Sequence, residues 1–255
     1  MKTLLSFSFD ESYRYWPKFI ESVRRNFGID SYCGLALGLW RNPIPPDCVP
    51  MQEAADLFGR PVVQHGAFLK TLRNHGQIND STTILFVDVD AKFQRPFDAE
   101  ELRLIEGVGV NHYLVGPNRI HDRPELWGDE APRVLPTEAY HHEYRGQFDR
   151  VPVFNTGFLA MNAMTYEQVY GRALNFIHNY GHWFQHHAAT QLFLCAAMWE
   201  LGLRSLAAPL TLSAHGHCGT PPGLKIVDDE AYIASDQNGN VRLDKVAYAH
   251  MLCGL

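Results

Sequence analysis

The sequence predicts an α/β fold, in which a buried sheet is covered by helices on both faces. The clearest sign is the run 82–87, where six consecutive residues are apolar or β-branched (Thr-Thr-Ile-Leu-Phe-Val). Such a run is typical of a strand buried on both faces, as in a parallel sheet between helices. Strand-like and helix-like patterns also alternate through the first 115 residues, which is the order of elements in a layered α/β domain.

The elements of the first half follow from hydrophobic periodicity. An apolar strand is predicted over 3–9, and a helix over 12–27 has apolar residues at helical spacing and ends before Gly28. The next predicted elements are a strand over 31–39, a proline-rich loop over 40–50, a helix near 51–58, a short strand over 61–63, a helix near 68–72, the buried strand over 82–89 and a strand over 106–115.

The second half begins with an interruption of this pattern. Residues 116–150 are dense in Pro, Arg, Asp, His and Trp without sustained periodicity, which is typical of a functional lid or insert. Order returns over 151–161, helices are predicted near 165–180 and 188–201, and a last strand pair near 204–212. The remaining tail, 216–255, is predicted to be rich in turns, as at 221–223 and 238–240.

Composition restricts the class of protein. A length of 255 residues suits one domain or two packed lobes. The formal charge of −6 lacks the basic field that binding to a nucleic-acid backbone requires. The five scattered cysteines form no metal-binding spacing, so we expect a reducing compartment. No apolar run approaches the roughly 20 residues of a membrane span, and the start of the chain lacks the apolar region of a signal peptide. We therefore expect a cytoplasmic protein.

Two carboxylates follow the buried strand directly, in Phe86-Val87-Asp88-Val89-Asp90. Side chains at i and i+2 of an extended segment share a face, so Asp88 and Asp90 can converge on one point. The carboxyl ends of strands are where open α/β sheets bind ligands. Two hard oxygen ligands suit Mg²⁺ or Mn²⁺, which keep coordination positions open for diphosphate oxygens.

The run 84–90, Ile-Leu-Phe-Val-Asp-Val-Asp, resembles the DxD strand of GT-A glycosyltransferases, above all the galactosyltransferase-like group of glycogenin and lipopolysaccharide glycosyltransferases. The run 154–162, Phe-Asn-Thr-Gly-Phe-Leu-Ala-Met-Asn, is similar to the F-N-[ASG]-G segment of the same group. The resemblance implies a Rossmann-like mixed sheet in a single GT-A domain over 1–255. Residues 1–115 would form the nucleotide-binding half, 116–150 an acceptor or lid insert, and 151–255 the half that holds the sugar, with a metal-binding tail.

The resemblance also implies roles for individual residues. Ser8 and Phe9, at the end of the first strand, would contact the nucleobase and ribose. Residues 155–157 would line the donor pocket, where Asn155 can both donate to and accept from sugar hydroxyls and Gly157 permits close backbone approach. Gln191 would lie near the reacting face, although Thr190 stands where the group often has aspartate.

A late histidine completes the metal site in the group. His250, in Ala-His-Met-Leu-Cys-Gly over 249–254, is a loose match to the H-x-x-G-x-x-K-P-W motif of the group and lacks its K-P-W. His215 and His217 compete for the same role. The expected ligands are therefore Asp90, Asp88 and one late histidine.

The implied activity is transfer of a sugar from a nucleotide diphosphate donor, favoured as a UDP-sugar, to an unidentified acceptor. The resemblance implies dependence on Mn²⁺ or Mg²⁺ and retention of configuration. Two alternatives stay open. A phosphatase of the haloacid-dehalogenase type also places D-x-D after a strand, but near the start of its chain, and Lys92 stands where that type has Thr or Val. A non-catalytic module that only binds nucleotide-sugars is the other.

Overall fold

The structure is a computed structural model of the full chain. It describes residues 4–9, 14–27, 32–37, 48–50, 69, 73–74, 76, 78–116, 119–121, 153–180, 188–215 and 223–250. The predicted helix near 51–58, the strand over 61–63, nearly all of the insert over 116–150 and the histidine at position 217 lie outside these residues. The division of the chain into 1–115, 116–150 and 151–255 stays a prediction.

A seven-stranded mixed sheet forms the centre of the fold. Its strands, in spatial order, are β10 (Arg204–Ala207), β6 (His112–Val115), β9 (Phe158–Asn162), β4 (Thr83–Val87), β1 (Leu4–Phe9), β2 (Tyr32–Leu37) and β3 (Cys48–Pro50). β9 is antiparallel to β4 and β6, while the other pairs are parallel. The mixed Rossmann-like sheet that the resemblance implied is thus confirmed.

All five residues of β4 are buried. Helices cover this strand, and their contacts explain why its sequence is continuously apolar. Helices α1 (Trp16–Phe27) and α2 (Ala99–Glu106) contribute to one core cluster together with Leu85 and Val87. Helix α3 (Ala163–Tyr180) lies against β4 and β9, and α4 (Ala188–Glu200) lies against α3.

Three smaller sheets complete the described fold. The first joins β11 (Ser213–His215), β15 (Tyr248–His250) and β5 (Ala91–Phe93). The second joins β12 (Leu224–Val227), β13 (Glu230–Gln237) and β14 (Asn240–Lys245), and the third pairs β7 (Arg119–His121) with β8 (Val153–Phe154). Because β15 pairs with both β5 and β11, it brings the end of the described chain back to the strand that follows Asp90.

Gln94, directly after β5, forms hydrogen bonds with the backbone of the sheet that contains β12, β13 and β14 and of the segment that follows it. Its amide nitrogen donates to the carbonyls of Ala231 and Val246 at 3.1 and 2.8 Å, and its amide oxygen accepts from the Ala231 N–H at 2.8 Å. The neighbouring Arg95 forms a two-pronged ion pair with the buried Glu101 and also donates to the Lys245 carbonyl. These contacts fix the start of β15 relative to β5.

Three predictions for secondary structure are corrected. The loop predicted over 40–50 ends in a strand, β3. The strand predicted over 106–115 is confined to its last four residues, β6, because Asp98 and Glu101 form a capping box that begins a helix at Ala99, and this helix continues to Glu106. The tail, predicted to be rich in turns, also contains four strands among its described residues. Two-residue turns join β12 to β13 at Asp228-Asp229 and β13 to β14 at Asn238-Gly239, where all four residues have positive φ, as type I′ hairpins require.

Candidate metal and donor site

The site lies at the carboxyl-terminal edge of β4. Asp88 follows β4, and Asp90 precedes β5, where Ala91 is paired with His250 of the antiparallel β15. On the other side of the antiparallel β4–β9 pair, Val87 is opposite Phe158, so Gly157 lies beside Asp88. Sheet pairing therefore brings together residues that are distant in the sequence.

Asp88, Asp90 and His250 form a cluster suited to a cation. One ligand atom from each of the three side chains lies within 4.8 Å of the other two. The His250 Nε2 is 2.8 Å from Asp90 Oδ1 and 3.5 Å from Asp88 Oδ2. The His250 side chain is only 4% exposed, whereas that of Asp88 is 39% exposed, so the cluster has a buried base and an open side.

Gly157 makes this cluster possible. A Cβ at this position would lie 2.3 Å from Asp88 Oδ2, 2.5 Å from His250 Cε1 and 2.8 Å from Asn155 Oδ1. Distances below 3.0 Å are essentially never seen for a real Cβ. Any other residue would therefore displace the carboxylate, the imidazole or the backbone. The backbone at this glycine therefore packs directly against the cluster.

Asn155 is held by two partners in the protein. Its Oδ1 accepts from the Gly157 N–H at 2.7 Å, and its Nδ2 lies 2.9 Å from the His215 Nε2. Since an amide nitrogen only donates, the His215 Nε2 accepts and this ring carries its proton on Nδ1. The rings of His215 and His250 meet edge to face, with centroids 4.1 Å apart.

His215 and His250 thus have different positions. His250 points its Nε2 at both carboxylates, whereas the Nε2 of His215 is occupied by Asn155, and His215 is outside the three-residue cluster. Of the two described histidines that the sequence offered, the geometry favours His250 as the ligand.

The charges in the cluster are strongly coupled. Burial raises the pKa of Asp88 to about 6, an effect that His250 opposes and Asp90 reinforces. For Asp90, burial also acts to raise the pKa, but the hydrogen bond and charge of His250 outweigh it and the pKa is lowered. Burial acts to lower the pKa of His250, yet the hydrogen bond to Asp90 and both carboxylates raise it. A proton on His250 therefore balances the negative charge of the cluster.

The donor set fits a divalent cation. The two carboxylates suit both Mn²⁺ and Mg²⁺. The imidazole nitrogen is a ligand that Mn²⁺ accepts more readily than Mg²⁺ does. The open side at Asp88 leaves room for further oxygen ligands. A cation would take over the charge-balancing role of the His250 proton, because imidazole must lose that proton to become a ligand.

The other predicted donor residues lie near this edge or have their backbone there. β1 and β4 are parallel, with Ser6 beside Val87, so Ser8 and Phe9 end β1 at the edge where Asp88 follows β4. Thr156 is buried beside Asn155. Gln191 lies in the first turn of α4, and this helix lies beside β8, the strand that leads into Asn155.

Sequence reasoning missed Tyr248. Its hydroxyl donates to the Gly157 carbonyl at 2.7 Å and accepts from the Asp88 N–H at 3.0 Å. The available signal was its position two residues before His250, since i and i+2 of a strand share a face. The contact of His215 with Asn155 was missed as well, and no local pattern joins those two residues.

Comparison with known proteins identifies the fold. No protein-family model matches the sequence, and no curated protein matches it. Among solved structures, the galactosyltransferase LgtC in complex with donor and acceptor sugar analogs matches with a TM-score of 0.53 and 15% identity, over 98% of this chain and 87% of that one. An active-site mutant of LgtC matches with a TM-score of 0.50 and 14% identity, over 99% of this chain and 88% of that one.

A third match is the apo structure of the bifunctional glycosyltransferase WbbM, with a TM-score of 0.53 and 12% identity over 99% of this chain and 46% of that one. These similarities establish that the chain has the GT-A glycosyltransferase fold, as the resemblance predicted. At such identities the likeness concerns the fold, and function has to be argued from the site. Within the described part of the chain, no helix is both long and apolar enough to cross a membrane.

Proposed function

We propose that the protein is a metal-dependent glycosyltransferase that transfers a sugar from a nucleotide diphosphate donor, most suitably a UDP-sugar, to an acceptor hydroxyl. The observation that carries the proposal is the cluster of Asp88, Asp90 and His250 at the carboxyl-terminal edge of β4 in a GT-A fold. Ligands of open α/β sheets bind at this edge. The cluster supplies the hard ligands that a diphosphate-bound Mn²⁺ or Mg²⁺ requires.

The proposed roles of the residues follow their places in the fold. Asp90, Asp88 and His250 hold the cation, which when bound acts as a Lewis acid toward the diphosphate leaving group. Ser8 and Phe9, at the end of β1, bind the base and ribose. Asn155, Thr156 and Gly157 line the sugar side, where the Asn155 amide keeps its second lone pair and second proton for hydroxyls.

We propose retention of configuration, with Gln191 near the reacting carbon. The support is that Gln191 belongs to the first turn of α4, a helix that contacts β8, the strand that leads into Asn155. An inverting reaction would instead need a carboxylate base for the acceptor hydroxyl. The candidates for that base, Asp122, Glu125, Asp129 and Glu130, lie outside the described residues.

The first test is thermal stability with UDP or GDP, each with and without Mn²⁺. A ligand that binds only the folded protein raises its stability by about 2.7 kcal/mol at 100 times Kd. We expect UDP to raise Tm only with Mn²⁺ and only in the parent, not in Asp90→Asn. The matched control is Glu106→Gln, at an exposed carboxylate at the end of α2, which should respond as the parent does. No shift with either nucleotide would refute the donor site.

The second test asks for turnover. A panel of UDP-sugars and GDP-sugars is incubated with the protein and Mn²⁺, and the release of nucleotide diphosphate is measured. Slow hydrolysis of one donor, lost in Asp90→Asn, supports a transferase. Saturable binding with no release would instead indicate the non-catalytic module. The phosphatase alternative has no observation in its favour, since the described fold is that of GT-A proteins.

A further inference from the structure

Tyr248 joins the hydrophobic core to the metal cluster. Its side chain is completely buried, and its ring contacts Phe93 and Phe158 with centroids 5.2 and 5.3 Å away. Only its hydroxyl reaches the polar edge of the sheet. A buried tyrosine hydroxyl needs partners, and here all of its described partners belong to the backbone at Asp88 and Gly157.

The Tyr248 hydroxyl has one proton, which it donates to the nearest acceptor. The Gly157 carbonyl is 2.7 Å away, compared with 3.2 Å for the Asp88 carbonyl. The Asp88 N–H donates to the hydroxyl at 3.0 Å and also to the Gly157 carbonyl at 3.1 Å. Burial holds the pKa of Tyr248 well above its ordinary value, so the proton stays on the hydroxyl. Three groups are thereby locked together at the end of β4.

Tyr248 and His250 occupy the same face of β15. Because side chains at i and i+2 of a strand point the same way, both reach toward the segment 88–90. His250 contacts the two carboxylates, and Tyr248 contacts the main chain that carries the first of them. Tyr248 therefore connects β15, which is paired with β5 and β11, directly to the main chain of Asp88.

We propose that Tyr248 is a positioning residue for the metal site, which sets the distance between the carboxylates and His250 by fixing β15 to the Asp88 and Gly157 backbone. This inference rests on the proposed function, since it requires that the cluster binds a divalent cation. Partners that orient metal ligands affect metal affinity by about 10- to 100-fold when they are removed. Among the described residues, the Tyr248 hydroxyl bonds to the backbone of Asp88 and to no ligand atom, so we expect the loss of metal affinity to be near the lower end of this range.

The test is Tyr248→Phe, with Tyr166→Phe as matched control. The phenylalanine keeps the ring contacts, and the Asp88 N–H and Gly157 carbonyl keep each other as partners. Tyr166 is equally buried, and its hydroxyl pairs with that of Tyr170 at 3.0 Å, so the control also removes one buried hydroxyl. Mn²⁺ affinity and the Mn²⁺ electron paramagnetic resonance spectrum are measured for the parent and both variants, with Tm recorded for each.

We expect Tyr248→Phe to bind Mn²⁺ about 10-fold more weakly, with an altered spectrum, while Tyr166→Phe binds as the parent does. Saturating Mn²⁺ should restore UDP binding to Tyr248→Phe. Parent-like Mn²⁺ affinity in Tyr248→Phe, or equal losses in both variants, would overturn the inference and leave the metal site standing. Failure of the parent to bind Mn²⁺ would instead remove the proposed function, and this inference with it.

Discussion

Replacement of Gly157 by alanine should remove metal binding while leaving the protein folded. The added Cβ would lie 2.3 Å from Asp88 Oδ2 and 2.5 Å from His250 Cε1, about 1 Å short of ordinary contact at 3.4 Å. The Asp88 side chain can turn toward solvent, because it is 39% exposed. The buried His250 ring cannot do so. Ligand distances in metal sites are held within about 0.2 Å, so a displacement of this size should weaken Mn²⁺ binding about 100-fold or more.

The protein should nevertheless stay folded. Overpacking by one methyl typically costs about 1–3 kcal/mol, and contact with the buried His250 ring argues for the upper end. Mn²⁺ affinity is measured by calorimetric titration, and the free energy of unfolding by urea denaturation. Gly171→Ala is the matched control, since a Cβ there meets nothing within 4 Å in helix α3, and it should gain about 0.5–1 kcal/mol. Parent-like Mn²⁺ affinity in Gly157→Ala would refute the geometric argument.

Two further predictions concern pH and an ion pair. Without metal, the raised pKa values of Asp88 (about 6, against 3.8) and His250 (above 6.5) mean that the folded state binds extra protons, so both contributions to stability are lost as pH rises. Mn²⁺ requires both groups deprotonated, so its effect on Tm should grow as the pH rises through about 6, where Asp88 loses its proton, and further above 6.5, where His250 does; a constant effect would contradict this. Arg95→Ala should cost up to about 3–5 kcal/mol in urea denaturation, because the buried Glu101 loses its cationic partner. Arg25→Ala, in an exposed pair, should cost less than about 0.5 kcal/mol, and equal losses would refute the distinction.

The sequence predicted features that depend on local pattern. β4 was found because it is buried on both faces, which gives a continuous apolar run, and Asp88 and Asp90 were found because they follow it directly. The strand predicted over 106–115 began too early because Val108 and Val110 alternate with glycine and suggest a strand, yet Val110 is 42% exposed and the chain there forms a turn.

The tail was harder to predict for a different reason. β14 is mostly exposed, with Val241 at 73% and Leu243 at 47%, so burial does not impose a clear alternation on its sequence. β15 is only three residues long, which is too short for any period to be recognised. The turn at Asn238-Gly239 was visible, but the strands on either side of it were not.

The metal cluster contains residues that the sequence pattern predicts and one whose position depends on strand pairing. Asp88 and Asp90 come from a strand that the sequence identifies, whereas His250 arrives by way of β15, which its pairing with β5 and β11 fixes. That pairing puts His250 opposite Ala91 and beside His215, and Tyr248 then ties the same strand to Gly157. Strand pairing thus assembles the cluster from segments that are distant in the sequence. A cation that binds only the folded chain must therefore stabilise β15 together with β4, which links occupancy of the site to the order of the tail.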